Sequence, residues 1–274
     1  MSDAPRRPRA VLMCHAESRL NREGVARWLG SFTDLVGMVV IDERGQHTKV
    51  RVRKEIERIG WLRFLDVLAF RAYYGLVLDR RDSVWVTRTL DDIAARYPAV
   101  PASCEQLVTA DPNGADVQAF LERLRPDLMV ARCKRILKER IFAVPRAGTY
   151  VLHPGICPEY RNAHGCFWAL ARRDLDKVGL TLLRIDKGVD TGPVYGYFTY
   201  PFDEVTESHI VVMTRVVTDN LDAIRDRLLD AVDGRATAID TTGRPSGVWG
   251  QPWLTQYFAW KRAARRRRHA RAVA

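Results

Sequence analysis

The sequence predicts an α/β fold, a Rossmann-like sheet flanked by helices with a small helical C-terminal extension. Three observations predict it. Ala10-Val11-Leu12-Met13-Cys14 is an apolar run that reads as a buried first strand. Val25, Trp28, Leu29 and Phe32 then recur at helical spacing, and Leu35 to Ile41 is a second apolar strand ending at Asp42. Strand, helix, strand in that order opens a layered α/β sheet. After Tyr200 the pattern is helical alone, through Ile210, Met213, Val217, Leu221, Ile224 and Leu228.

The turn after the first strand, His15-Ala16-Glu17-Ser18-Arg19, contains no glycine. A dinucleotide site needs a Gly-rich turn there so that the backbone can approach a pyrophosphate, so a nicotinamide enzyme is not expected although Asp42 stands where a ribose-binding acid would. Residues 51 to 78 carry Ile56, Ile59, Trp61, Leu62, Leu65, Leu68, Phe70, Tyr73 and Tyr74, interrupted by Arg58, Arg63, Asp66 and Arg71. A long helix packing on the sheet is the expectation; a dimer face or a membrane-surface helix are the alternatives such a basic amphipathic segment suits.

Pro98 and Pro101 mark a loop, Glu105 to Thr109 a strand, and Asp111-Pro112-Asn113-Gly114 a turn. Val117, Phe120, Leu121 and Leu124 make the next helix. Leu128 to Ala131 is a strand leaving on Arg132-Cys133-Lys134-Arg135-Ile136-Leu137, a basic loop that Ile136 and Leu137 would anchor in the core. Thr149 to Leu152 delivers His153 to a strand end, where Pro154 and Gly155 force a turn. Leu180 to Ile185 is a further strand that stops at Asp186-Lys187-Gly188, with Asp190 in the loop. Pro245 to Pro252 reads as loop. Trp249, Trp253, Tyr257 and Trp260 form an aromatic cluster that suits packing against the main domain better than stacking on bases.

At 274 residues, 47% of them apolar, the chain allows one large domain or two small ones with a substantial core. The formal charge of +11 points to acidic partners: phosphorylated ligands, polyglutamylated cofactors or nucleic acid. Much of the excess is local, in Lys261, Arg262, Arg265, Arg266, Arg267, Arg268 and Arg271, a run expected to be a solvated and flexible tail. Five widely spaced cysteines (Cys14, Cys104, Cys133, Cys157, Cys166) lack metal-ligand spacing and read as reduced thiols of a cytoplasmic protein; no metal is expected. The start of the chain is polar and no apolar stretch reaches the ~20 residues of a membrane span.

His153 and Asp190, each on a loop leaving a buried strand, can meet at the carboxyl edge of the sheet, where open α/β sheets place ligands. An imidazole beside a carboxylate is an apparatus for proton transfer. A histidine before proline can equally be a packed or capping residue, and Asp-Thr-Gly is a common turn.

Longer motifs decide between these. His153, Pro154, Pro158, Tyr160 and Arg161, followed by Asp186, Gly188, Asp190, Thr191, Gly192 and Pro193, resemble the signature of the 10-formyltetrahydrofolate-dependent formyltransferases, and Pro126 to Val130 with Arg135-Ile136-Leu137 resembles that family's strand and pterin-contacting loop. The likeness covers residues 120 to 200 well and the rest loosely. It implies a Rossmann-like formyltransferase domain over 1–200, followed by a helical, aromatic-rich extension over 201–260 and the basic tail over 261–274. It also implies 10-formyltetrahydrofolate as co-substrate, with His153 and Asp190 catalytic. Lys134, Arg135, Ile136, Leu137, Asp186 and Val189 would form the folate walls. The family carries Asn two residues before the His, and this chain has Val151 there. Asn162 and His164 are the nearby candidates for the missing donor; a His eleven residues after the active one also occurs in the glycinamide ribonucleotide transformylases, whose phosphate-holding Gly-rich turn this chain lacks.

The resemblance implies formyl transfer to a small amine, such as an amino sugar on a nucleotide or an amino acid. A second copy of the chain is a further expected partner, and nucleic acid is not expected. Methionyl-tRNA formyltransferases add a β-barrel of about a hundred residues that seventy-four mostly helical ones cannot supply. Two alternatives stay open: a folate- or nucleotide-binding protein on this fold without transferase activity, and a formyltransferase reaching an aminoacyl-tRNA through the basic tail.

Overall fold

The structure is a computed structural model that describes residues 6–43 and 48–273; Met1 to Pro5 of the polar start and Ala274 lie outside it. The first apolar run forms β1 (Arg9–His15). A π-helical turn (Leu20–Val25) then leads into α1 (Ala26–Phe32), and β2 (Asp34–Ile41) returns parallel to β1. Next come α2 (Thr48–Ile59) and α3 (Trp61–Tyr73), which continues through a second π-helical turn (Tyr74–Leu78) into α4 (Asp79–Arg96). Then follow β3 (Glu105–Thr109), α5 (Ala115–Leu124), β4 (Leu128–Arg132), α6 (Glu139–Phe142) and β5 (Thr149–His153). A two-residue β6 (Arg161–Asn162), α7 (Gly165–Arg172), β7 (Leu180–Arg184) and β8 (Val194–Phe198) come next. The chain ends in α8 (His209–Thr218), α9 (Leu221–Val232), β9 (Val248–Trp249) and α10 (Leu254–Val273).

The main sheet has the order β3-β2-β1-β4-β5-β7-β8, as the Rossmann-like expectation requires. The strands from β3 to β5 are parallel, while β5–β7 and β7–β8 are antiparallel. Alternation along β1 divides the core in two. Ala10, Leu12 and Cys14 join Trp28, Leu29, Phe167, Val216, Ile224 and Trp260, whereas Val11 and Met13 join Val117, Leu121 and Ile141 on the other face. A strand covered on both faces reads as a continuous apolar run rather than an alternating one. The helices after Tyr200 therefore pack into the same core as β1, and the Trp28 indole donates to the Leu221 carbonyl at 2.9 Å.

Three expectations are corrected. The 51–78 segment does not pack on the sheet all round: Phe64, Val67, Phe70 and Leu78 are buried, while Trp61 (66% exposed), Leu62 (85%), Leu65 and Leu68 form an outward stripe. The basic run is helical rather than flexible as far as Val273. Buried Lys261 donates to the carbonyls of Glu204 (2.8 Å) and Glu207, and Arg267 pairs with Glu204 at 2.6 Å. The loop expected from Pro245 to Pro252 contains β9, which pairs in parallel with β6. Among the described residues, no helix is long and apolar enough to cross a membrane.

Candidate active site

β5 ends at His153, which is buried, and the chain turns at once: the Gly155 N–H bonds back to the His153 carbonyl at 2.9 Å. Gly155 is required for a close approach. A Cβ there would lie 2.6 Å from the Tyr160 carbonyl oxygen, 2.8 Å from His153 Nε2 and 2.9 Å from the Gly165 Cα. With no Cβ in the way, the Tyr160 carbonyl sits 2.7 Å from His153 Nε2. A carbonyl only accepts, so Nε2 carries the proton and Nδ1 is the nitrogen left for exchange.

Nδ1 faces Asp190 Oδ2 at 3.5 Å. The route by which Asp190 arrives differs from the expected one. In the antiparallel register Tyr150 lies opposite Arg184 and His153 opposite Thr181, so β7 ends beside the start of β5 rather than at the His153 edge. The loop 185–193 must fold back along β5, with Ile185 and Val151 packed against one core cluster. Asp186 Oδ1 braces the loop by accepting from the Gly188 N–H (2.9 Å) and the Thr191 hydroxyl (2.7 Å), and the Arg161 guanidinium holds the Val189 carbonyl at 3.0 Å. Asp190 has φ +51°, a left-handed conformation costly for a non-glycine residue and typical of functional loops.

Asn162 meets this pair through its backbone: its N–H donates to Asp190 Oδ2 at 2.7 Å. Its side chain is engaged elsewhere, with Nδ2 donating to the Trp249 carbonyl at 2.6 Å. Trp249 is in turn stacked between Tyr160 and Trp168, with ring centroids 5.6 and 5.1 Å apart. The short β6–β9 pair thus holds the turn that holds Asp190. His164, also left-handed (φ +58°), makes no hydrogen bond or ion pair with His153 or Asp190 among the described residues; it lies against His209 instead, with ring centroids 5.9 Å apart. Burial, then the nearby Lys134 and Arg71 charges, lowers its pKa to about 4.

The loop after β4 supplies the facing wall. The Lys134 N–H donates to His15 Nε2 (3.0 Å), and Arg135 pairs with Glu43 at 3.3 Å. Asn113 clamps the loop, donating to the Ile136 carbonyl (3.0 Å) and accepting from the Lys138 N–H (2.6 Å). Leu137 is buried with Ile141 beside Val151 and Ile185, but Ile136 is 69% exposed and is no core anchor. Lys187 and Glu139, 3.0 Å apart, span the two loops. At the end of β4, Arg132 donates to Asn21 Oδ1 at 3.0 Å and to the Leu152 carbonyl, and burial lowers its pKa to about 10. Burial raises all five thiols, Cys133 to about 11 and Cys166 to about 12, so none is a thiolate nucleophile at neutral pH. Among the described residues, no group of three or more His, Cys, Asp or Glu side chains could hold a metal ion.

The structure therefore joins His153, Asp190 and the backbone of Asn162, and sets His164 apart. Sequence reasoning missed the Tyr160 carbonyl, Gly155 and Trp249. The Tyr160–Trp249 stack crosses about ninety residues, and the one signal for it was the aromatic cluster expected to pack against the main domain.

Comparison with known proteins bears on the fold and the family. Residues 88–228 match the Formyl transferase family model. A methionyl-tRNA formyltransferase of Parabacteroides distasonis is 32% identical over 198 residues, covering 66% of this chain and 60% of that protein. Among solved structures, a sugar N-formyltransferase from Shewanella sp. superposes with TM-score 0.54 at 12% identity, over 93% of this chain and 87% of that one. A phosphoribosylglycinamide formyltransferase from Anaplasma phagocytophilum gives TM-score 0.54 at 13% identity, over 90% and 100%. At such identities the two structures speak for the fold alone, and it is the match of the family model over more than half of the residues that shows this chain to belong to the formyl transferase family.

Proposed function

We propose that the chain transfers the formyl group of 10-formyltetrahydrofolate to the amino group of a small acceptor, an amino sugar on a nucleotide or an amino acid. The observation that carries this reading is the proton-exchanging nitrogen of His153, 3.5 Å from a carboxylate that is itself fixed by the Asn162 N–H. The residues present suit a pterin ring: Leu137, Val151 and Ile185 share one apolar cluster, and the loops bearing Lys134 to Leu137 and Asp186 to Val189 flank it with peptide groups. The co-substrate supplies the one-carbon group. The chain's own residues handle the protons.

His153 Nδ1 takes a proton from the acceptor amine as its nitrogen bonds to the formyl carbon and the carbonyl electron pair moves to oxygen. Asp190 balances the imidazolium so formed. Nδ1–H then protonates the leaving nitrogen as the old C–N bond breaks and the oxygen pair returns. Proton transfer by a positioned group of this kind contributes about 10²–10⁴ in rate. The 3.5 Å gap is longer than a hydrogen bond, as is common before substrate draws such groups together.

Val151 favours a second reading. Its side chain offers no donor to the oxyanion and packs with Cys157, Leu183 and Val194, which suits a chain that binds folate without transferring from it. The exposed arginines of α10 favour a third, an aminoacyl-tRNA acceptor, whose turnover would fall steeply with salt. Single-turnover transfer from 10-formyltetrahydrofolate to a panel of amino sugars, amino acids and aminoacyl-tRNA separates the three. Formyl transfer to a small amine is the expected result. Binding of 5-formyltetrahydrofolate without any transfer would establish the second reading, and no folate binding at millimolar concentration would sink all three.

A further inference from the structure

A cavity of about 250 Å³ lies between α3 with its π-helical turn, α7, α8 and the chain at Gln251-Pro252. Val67, Phe70, Ile210 and Pro252 give it apolar walls. Two imidazoles face each other in it, those of His164 and His209, and His209 is only 2% exposed. The Nδ1 atoms of both are buried and meet no hydrogen-bond partner among the described residues. Buried polar atoms are almost always satisfied, and exceptions call for an explanation in function. Burial lowers the pKa of both rings, aided for His209 by His164 and Lys261, so each is a neutral group with one donor and one acceptor. The π-helical turn at Tyr74–Leu78 forms one wall, and such turns recur at functional sites.

The segment that carries His164 passes close to the proton-transfer pair: a Cβ on Gly155 would lie 2.8 Å from His153 Nε2 and 2.9 Å from the Cα of Gly165, the residue after His164. The charged side chain among the cavity's lining residues is Arg71, and Lys134 is close enough to depress His164; neither side chain forms an ion pair among the described residues.

We propose that this cavity receives the ring of the acceptor, that the ring is a sugar, and that an attached phosphate lies toward Arg71 and Lys134. A pyranose presents a C–H face suited to the negative face of an aromatic wall, and hydroxyls that both donate to and accept from neutral imidazoles. Arg71 and Lys134 offer the charge-assisted bonds a phosphate takes. This rests on the reading of the chain as a formyltransferase for a small amine.

The test uses the full chain and two substitutions. His209→Leu removes one imidazole. Gly75→Leu adds a bulky side chain at a residue of the cavity rim, where an added Cβ meets no atom within 4 Å. Calorimetry follows binding of a UDP-linked 4-amino-4,6-dideoxyhexose, and separately of 5-formyltetrahydrofolate. The expected result is that both substitutions weaken the sugar nucleotide about tenfold or more while folate affinity and the unfolding midpoint stay as in the wild type. Unchanged sugar affinity in a folded Gly75→Leu protein would overturn the inference, as would a wild type that binds folate and no sugar nucleotide. A wild type that binds the sugar nucleotide through these residues but neither binds folate nor transfers formyl would leave the cavity assigned and sink the formyltransferase reading instead.

Discussion

His153 donates from Nε2 to the main-chain carbonyl of Tyr160 at 2.7 Å, and this bond leaves Nδ1 as the nitrogen facing Asp190. Nε2 is held by a group that cannot take its proton, so in the proposed transfer Nδ1, facing Asp190, is the nitrogen that gains and loses one. His153→Ala and Asp190→Asn should each lower single-turnover transfer by about 10²–10⁴ while leaving the thermal midpoint nearly unchanged. Acting on one proton, they should not add: the double substitution should be little worse than either single one. Multiplicative losses would mean that they work separately.

The same bond makes Gly155 a sensitive position. A methyl group there would stand 2.6 Å from the Tyr160 oxygen and 2.8 Å from His153 Nε2, with the Gly165 backbone closing the remaining side. Gly155→Ala should push the carbonyl away and leave the imidazole free to turn. Its expected signature is a fall in kcat of about tenfold or more with the KM for folate little changed, since the folate walls are built from other loops. An equal rise in KM would show that the turn also shapes the folate side.

The paired imidazoles at the cavity predict an acid weakness. Burial holds His164 at about 4 and His209 also well below the ordinary 6.5. Between pH 6.5 and 4 the unfolded chain takes up protons that the folded chain refuses, so stability rises with pH and is lost as pH falls through this window. For His164 the loss is on the order of 3 kcal/mol by pH 4. Asp82, raised by burial beside Ser208 and Tyr74, works in the opposite direction and is common to wild type and variant. Thermal midpoints measured from pH 7 to 4.5 should fall less for His164→Gln than for the wild type. Parallel curves would show that the ring is not held neutral by the fold.

The sheet was readable because its central strands are covered on both faces, so that Ala10 to Cys14 and Leu128 to Ala131 are unbroken apolar runs whose burial leaves no alternative. The antiparallel return of β7 was not readable. Its Leu180 to Arg184 run is buried like a parallel strand, and pairing direction leaves no mark on periodicity. Asp190 and His153 were identified as partners, yet the turn that fixes Asp190 depends on Trp249, far along the chain, and no local pattern ties the two. The outward stripe on α3 escaped for a related reason. Trp61, Leu65 and Leu68 are as apolar as Phe64 and Phe70, and only the fold tells which face the core covers.

Val151 gives the sharpest test of whether transfer has a donor other than the family's amide. Its side chain is half-buried against the apolar cluster of Cys157, Leu183 and Val194. Val151→Asn would place an amide there, and the nearest candidate partners are already used: the Cys157 carbonyl accepts from the Tyr197 hydroxyl at 2.7 Å, and the Cys157 N–H donates to Thr181 at 3.0 Å. A buried amide without partners costs about 1–3 kcal/mol, so the midpoint should drop by several degrees. Transfer should not rise if the reaction already runs without an amide at this position. The measurement is single-turnover formyl transfer by wild type and Val151→Asn at one saturating folate concentration. If the substitution raises turnover tenfold or more in spite of lost stability, the oxyanion lacked a donor that the family's Asn supplies, and the wild-type chain is better read as a folate-binding protein that has given up transfer.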